Sequence, residues 1–488
     1  MEHIRHSRQA KGLDIRICRQ NEHSLITAMR FPIKELEASQ IIKKLEDFFD
    51  HQTLTQKAVD AGFIKRKGKL CAISFLQLCL SSAHNACSKS LTEACTFLRE
   101  IMGVKLRKQS LDSRFNASGV TFIKSLVEEV MKKQVRFADP TASMENTGVS
   151  RCKFRRILIG DSTSFSLPTQ FTTAYKGSGG MYSTSAIKLY YEYDLLTGSL
   201  NCIKDADGVK SDQTFNEVSN VQTGDLVMKD LGFYQMPFFR KLHQKGAYFI
   251  SRLPARSKLF VKDKRINLEI LLSAMPAYVS FYEFRIDIGS DKKERTALGD
   301  IRMIVEKVPI EVYEQRIRKI RAKYESKGRQ PSKEQLLWNK YNIFVTNVPV
   351  ELLLIEQVKN LYRLRWQIEI LFKTWKSIFH INLVKPMQLY RFQCVLLSSL
   401  LIILLFMPLL HFFKHYLWQK IGKEVSEWKM LIWLKNHLLL IYKSSKQAGF
   451  VKFTRLFYEQ ILQDGFKEKR KKEGKYTHFI PLDILAAA

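Results

Sequence analysis

The chain has 488 residues, 45% of them apolar and 11% aromatic, which excludes a disordered chain and leaves room for two or three cores without disulfide staples. Its 79 Lys and Arg against 47 Asp and Glu give a formal net charge of +32 at pH 7, far beyond what solubility needs. A polyanion is the natural partner, and any affinity for DNA should fall steeply with salt.

Eight cysteines form no Cys-x-x-Cys pair, which argues against zinc and for free thiols in a reducing cytoplasm. The first thirty residues are polar and basic and read as no secretory signal. Residues 1–137 read as a helical, DNA-binding domain, with helices expected near Lys34–Phe49, Ala72–Ala86, Leu91–Met102 and Thr121–Lys133. Between Leu91 and Phe115, a helix, Gly103 and a basic segment with Arg107, Lys108 and Arg114 suit either a helix-turn-helix or an ordinary helical hairpin. The polar stretch from Ala138 to Ser150 reads as a linker.

Short strands follow over 151–253. They are expected at Arg156–Gly160, at Ile187–Tyr193 and Ser199–Ile203 as a hairpin, and at Leu226–Met228 and Tyr248–Leu253, with a helix over Pro237–Gln244. A mixed α/β sheet is the simplest assembly. Residues 254–340 look inserted, with strands near Tyr278–Ile286 and Asp300–Val308 and a basic helix over Val312–Lys327. The sheet pattern resumes in 341–415, with a strand at Tyr341–Val348 and a helix over Leu352–Phe379. Val395 to Phe413 runs nineteen residues without a charge, long enough to span a membrane, but as a single such stretch in a basic chain it reads as a buried core helix. Residues 416–488 read as a helical C-terminal region ending in the basic run Lys467–Lys475.

Two expected strands run into an aspartate, ILIG into Asp161 and LVMK into Asp230. Ligands of open α/β sheets gather at the carboxyl ends of strands, so both acids are candidates. Asp225 begins its strand and would lie at the wrong end. The third candidate is Glu369. At 100° per residue, Tyr362, Arg365, Glu369 and Lys376 share a strip about 60° wide. Leu361, Leu364, Ile368, Leu371, Trp375 and Phe379 fall on the opposite, apolar side. An Arg365–Glu369 ion pair on a solvated face accounts for two of the four; a carboxylate beside phosphate-binding cations and a phenol accounts for all of them.

The spacing Tyr362, Arg365, Glu369, Lys376 resembles the Y-R-E-K signature of the insertion-sequence-four family of bacterial transposases. YRLRWQIEILFKTWKS from Tyr362, KDLGFYQ around Asp230, EYDLLTGSL from Glu192 and TNVP from Thr346 resemble the same family's blocks. Leu231 departs from it, since an arginine often follows the second aspartate there. The resemblance implies a ribonuclease-H-like mixed-sheet core interrupted by a β-rich insertion, for which the 138 residues between Asp230 and Glu369 leave room. It implies an Asp-Asp-Glu transposase whose carboxylates Asp161, Asp230 and Glu369 are both catalytic and metal-binding. Such hard oxygen donors select two Mg²⁺, with Mn²⁺ as a substitute.

Tyr362, Arg365 and Lys376 would hold DNA phosphates. The expected partner is double-stranded DNA, as terminal inverted repeats and as target, with a homodimer assembled on it, no membrane, and a cytoplasmic, nucleoid-associated location. Whether excision passes through a hairpin stays open. Trp338 is the candidate to stack a flipped base, and a core tryptophan is the alternative. An inactive, DNA-binding relative is the competing function.

Overall fold

The computed structural model describes residues 36–66, 68–82, 90–132, 153–255, 257–262, 264–276, 280–289, 296–446 and 449–467. The expected linker, the basic run after Lys467, and Cys18, Cys87 and Cys152 lie outside them, as do the edges of four expected elements at 34–35, 83–86, 133 and 278–279. The described residues form two compact units, one drawn from within 1–137 and 374–475, the other from within 138–373.

The second unit is built on one sheet of ten strands: β1 Ile157–Ser166, β2 Ala186–Asp194, β3 Leu200–Asp207, β4 Leu226–Lys229, β5 Tyr248–Arg252, β6 Leu259–Val261, β7 Lys264–Ile266, β8 Phe281–Gly289, β9 Thr296–Lys307 and β10 Tyr341–Thr346. Their order is β3-β2-β1-β4-β5-β10-β9-β8-β6-β7. β1 lies parallel to β4 and β4 to β5, while β2 runs antiparallel to both β1 and β3. The five-strand order 3-2-1-4-5 with β2 reversed is the ribonuclease-H-like arrangement. The strands of the inserted segment do not stand apart. They continue the same sheet by antiparallel pairing through β10 and β9.

Sequence explains the burial of the central strands. β4 is LVMK and buried at all four positions; β1 is buried over Ile157–Gly160 and then alternates. The change falls where β1 loses β4 as a neighbour, because their pairing stops at Gly160↔Lys229 while β1 runs on beside β2 to Ser166. A strand with neighbours on both sides and both faces covered reads as continuously apolar, and one with a free side need not. Leu158, Val227, Phe249, Ile301, Met303, Val305, Ile343 and Val345 belong to one core cluster. Phe238, Phe239 and Leu242 of the helix Met236–Gln244 complete it.

In the first unit the charge-free stretch forms the middle of a 33-residue helix, Leu389–Ile421, its most apolar window 83% buried. It packs against the helices Ala117–Lys132, Ala72–Ser82 and Leu36–Phe48. Ala72–Ser82 is itself buried along nearly its whole length. A helix apolar all round needs partners all round, and these supply them. The helix Leu91–Met102 opens with a reciprocal cap, Ser90 Oγ accepting from the Glu93 amide at 3.2 Å and the Glu93 carboxylate accepting from the Ser90 amide at 2.6 Å. It ends at Gly103, whose φ of 69° suits a residue without Cβ. The helix after that turn is only Lys108–Asp112, too short for a recognition helix of ordinary length, although Arg107, Lys108 and Arg114 are exposed.

If Leu389–Ile421 is a core helix, Leu401, fully buried at its centre, is expected to cost about 2–5 kcal/mol when cut to alanine. Denaturant unfolding of the full chain measures it; a loss near zero would show that the helix does not depend on its packing.

Candidate active site

The three acids reach one place from three elements. Asp161 lies on β1, the first residue beyond the β1–β4 pairing. It is inside the strand rather than at its end as expected, because the polar run DSTSFS still pairs with β2. Asp230 follows the last residue of β4. Glu369 lies in the first turn of the helix Gln367–Ile378. That helix is not continuous with Ile355–Arg363 as expected: a 3₁₀ turn, Leu364–Trp366, divides them and carries Arg365.

Arg365 joins the acids. Its Nη2 lies 2.8 Å from Glu369 Oε1 and 3.8 Å from Asp230 Oδ1, and its Nη1 lies 3.5 Å from Asp161 Oδ2. Two oxygens tied to one nitrogen can be no further apart than those two lengths laid end to end. The expected Arg365–Glu369 pair is therefore present, but as one arm of a three-acid cluster. Among the described residues, no three His, Cys, Asp or Glu side chains are grouped closely enough to hold a metal ion as they stand; at the acids the guanidinium occupies the shared position. The donor set still fits a hard divalent cation, being three carboxylates that already turn toward one centre of positive charge.

The electrostatics follow from burial. Burial pushes the Asp161 carboxyl up to about 6, the negative charges of Asp230 and Glu369 adding to it while the Ser162 amide and Arg365 pull the other way. Asp230 and Glu369 are more open, with side-chain exposures of 49% and 36% against 17% for Asp161. The Arg365 guanidinium is held above its ordinary range despite its own burial, because Tyr362 and the three acids surround it. Its buried Nε donates to no described residue.

Tyr362 turns inward. It is 7% exposed, its hydroxyl donates to the Lys229 carbonyl at 3.2 Å, and burial raises its pKa to about 12. The helical projection put it beside Arg365 on one open strip; the 3₁₀ turn winds about 20° more per residue and shifts that phase. Lys376 is half-buried on the same helix as Glu369, its ammonium lowered by burial. Asp225 is fully buried and bound by Arg156 at 2.5 Å, at the other end of β4 from Asp230. Trp338 packs, partly buried, against the core cluster. Sequence reasoning missed Asp212, whose carboxylate accepts from Ser162 Oγ at 2.7 Å and pairs with Lys188 at 2.8 Å. It also missed the buried pair Lys229 and Glu192 behind the acids. The signal was a lysine closing an otherwise apolar strand.

A sheet of this order with an acidic cluster where its parallel strands β1 and β4 part defines a ribonuclease-H-like nucleic-acid enzyme class. Residues 153–405 match the family model described as the transposase DDE domain. The transposase of insertion sequence element IS231F from Bacillus thuringiensis subsp. israelensis is 30% identical over 472 residues, 92% of this chain and 95% of the relative. That of IS1151 from Clostridium perfringens is 32% identical over 408 residues, 79% and 84% of the two chains. The chain belongs to the DDE transposases of bacterial insertion sequences, a family of DNA-cleaving and strand-transferring enzymes generally dependent on divalent metal.

Because folding raises the Asp161 pKa from about 3.8 toward 6, the charged carboxylate costs stability above pH 6, and the cost fades as pH falls toward 4. Asp161→Asn is therefore expected to stabilise the metal-free protein by on the order of 1–2 kcal/mol at pH 7–8 and by little at pH 4. Thermal unfolding across that range tests it; a gain independent of pH would refute the electrostatic account.

Proposed function

We propose that Asp161, Asp230 and Glu369 are the catalytic and metal-binding carboxylates with which this transposase cuts DNA at the ends of its insertion sequence and joins them to target DNA. What supports this reading is the convergence of all three on one guanidinium, in the sheet position where β1 and β4 part. Carboxylates without thiolate or imidazole suit Mg²⁺, with Mn²⁺ as a substitute. A pair of such ions, when bound, lowers the pKa of an attacking water or 3′ hydroxyl and stabilises the leaving oxygen.

The chain's own groups do the rest. Asp161 on β1 and Asp230 just after β4 leave the sheet side by side where the two strands part, and Glu369 closes the site from its helix. Arg365 neutralises the acids in the free protein. With DNA in place it exchanges carboxylate for phosphate, which its planar fork binds with the same geometry. Lys376, further along the helix, holds a second phosphate, as a flexible point charge. Tyr362 contributes from inside, by pinning the Arg365 turn to β4 through the Lys229 carbonyl.

Recognition of the terminal inverted repeats falls to the N-terminal helices and the excess positive charge, in a cytoplasmic, nucleoid-associated protein that dimerises on DNA. The partner is double-stranded DNA, first as element ends and then as target.

Purified protein with Mg²⁺ or Mn²⁺ is expected to cleave DNA carrying its element's ends, and a chelator to stop it. Asp161→Asn, Asp230→Asn and Glu369→Gln should each lower cleavage by on the order of 10³-fold or more while DNA binding persists. An Asp230→Asn variant that cleaves like wild type would sink the assignment.

A further inference from the structure

Behind the acids, Lys229 Nζ lies 3.4 Å from Glu192 Oε2, both side chains about 5% exposed. The pair joins strands that are not neighbours, since Glu192 is on β2, Lys229 is on β4, and β1 runs between them. The residue of β1 directly opposite both is Gly160. A Cβ there would meet Tyr190 Oη at 2.4 Å, Glu192 Oε2 at 3.0 Å and Lys229 Cε at 3.1 Å, so the missing side chain is the gap through which the pair forms. Glu192 also accepts from Tyr190 Oη at 2.5 Å and Asn201 Nδ2 at 2.6 Å. The Lys229 ammonium lies 4.7–5.4 Å from the ring centres of Phe238, Tyr190 and Phe233.

The place of this row matters. Gly160↔Lys229 is the last paired position of β1 and β4, and the next residue on each strand is an acid, Asp161 and Asp230. Beyond it no β1–β4 ladder holds those acids at a fixed spacing. The ion pair is the last lateral tie below them. Lys229 also receives the Tyr362 hydroxyl on its carbonyl, so one residue links β2, β4 and the Arg365 turn. For stability alone, apolar side chains of similar volume would serve as well as a buried ion pair.

We propose that Lys229 and Glu192, meeting over Gly160, are positioning residues that set the separation of Asp161 and Asp230 and thereby the affinity of the acids for divalent ions. The proposal rests on the reading of those acids as metal ligands. Removing a partner that orients a metal ligand weakens metal binding or activity by about 10- to 100-fold, and the same range is expected here.

The test compares full-length wild type, K229M/E192Q, E192Q and a D161N control. The double variant replaces both charges by neutral groups of similar shape; E192Q removes the carboxylate charge and keeps one acceptor oxygen to serve Tyr190 or Asn201, its amide nitrogen being a donor. The readouts are thermal unfolding, Mn²⁺ binding by calorimetry without DNA, and kcat and KM for cleavage of end-bearing DNA. The double variant, folded, is expected to bind Mn²⁺ about 10- to 100-fold more weakly and to lose kcat in proportion, with KM for DNA unchanged; E192Q should fall between it and wild type. Wild-type Mn²⁺ affinity and kcat in either folded variant would overturn the positioning role. If the double variant fails to fold, E192Q alone decides in the same way. D161N that binds Mn²⁺ like wild type would instead refute the reading of the acids, whatever the pair does.

Discussion

Three carboxylates gather in one place only if positive charge lies among them. Here that charge is a single guanidinium, within 2.8–3.8 Å of an oxygen of each acid. Burial, and to a lesser degree mutual repulsion, otherwise pushes protons back onto the acids, as the raised Asp161 pKa records. The site thus holds a charge of the right sign where a divalent ion is needed. The excess of 79 basic over 47 acidic residues extends the same logic outward, to a polyanion laid across the protein.

The sheet makes this arrangement possible. Strands β1 and β4 share a buried parallel ladder up to Gly160 and Lys229 and then part, so each presents an acid at the point of divergence. A parallel pair at the centre of a sheet is stiff, and stiffness is what two like charges require of their supports. Glu369 arrives on a helix instead. Its approach is governed by the 3₁₀ turn Leu364–Trp366 and by the hydroxyl of Tyr362 on the Lys229 carbonyl. The strands between Asp230 and Glu369 extend the same sheet beyond β5, through β10 and β9 to β8, β6 and β7, on the side away from β1.

Much of this was legible in the residues. Apolar runs marked β1, β4 and β5, the hairpin of β2 and β3 appeared through its Asp194–Gly198 turn, and the amphipathic stripe from Leu361 to Phe379 marked the Glu369 helix. The rest depended on three-dimensional context. DSTSFS looks like a loop, yet β2 offers it a ladder, so β1 continues past Asp161. The break at Leu364–Trp366 carries no proline or glycine, so a uniform 100° projection kept Tyr362 outside when it is buried. Lys229 and Glu192 lie 37 positions apart on separated strands, and only the register across Gly160 brings them together. Trp338, for which the sequence left base stacking and a core position both open, packs partly buried against the core cluster.

The most direct measurement is anomalous diffraction from crystals of the protein grown or soaked with Mn²⁺ and DNA ends. Anomalous density among the oxygens of Asp161, Asp230 and Glu369, with the Arg365 guanidinium withdrawn from the acids and on a phosphate, is the predicted result. Density elsewhere, or Arg365 still joined to all three acids in the loaded complex, would contradict the account.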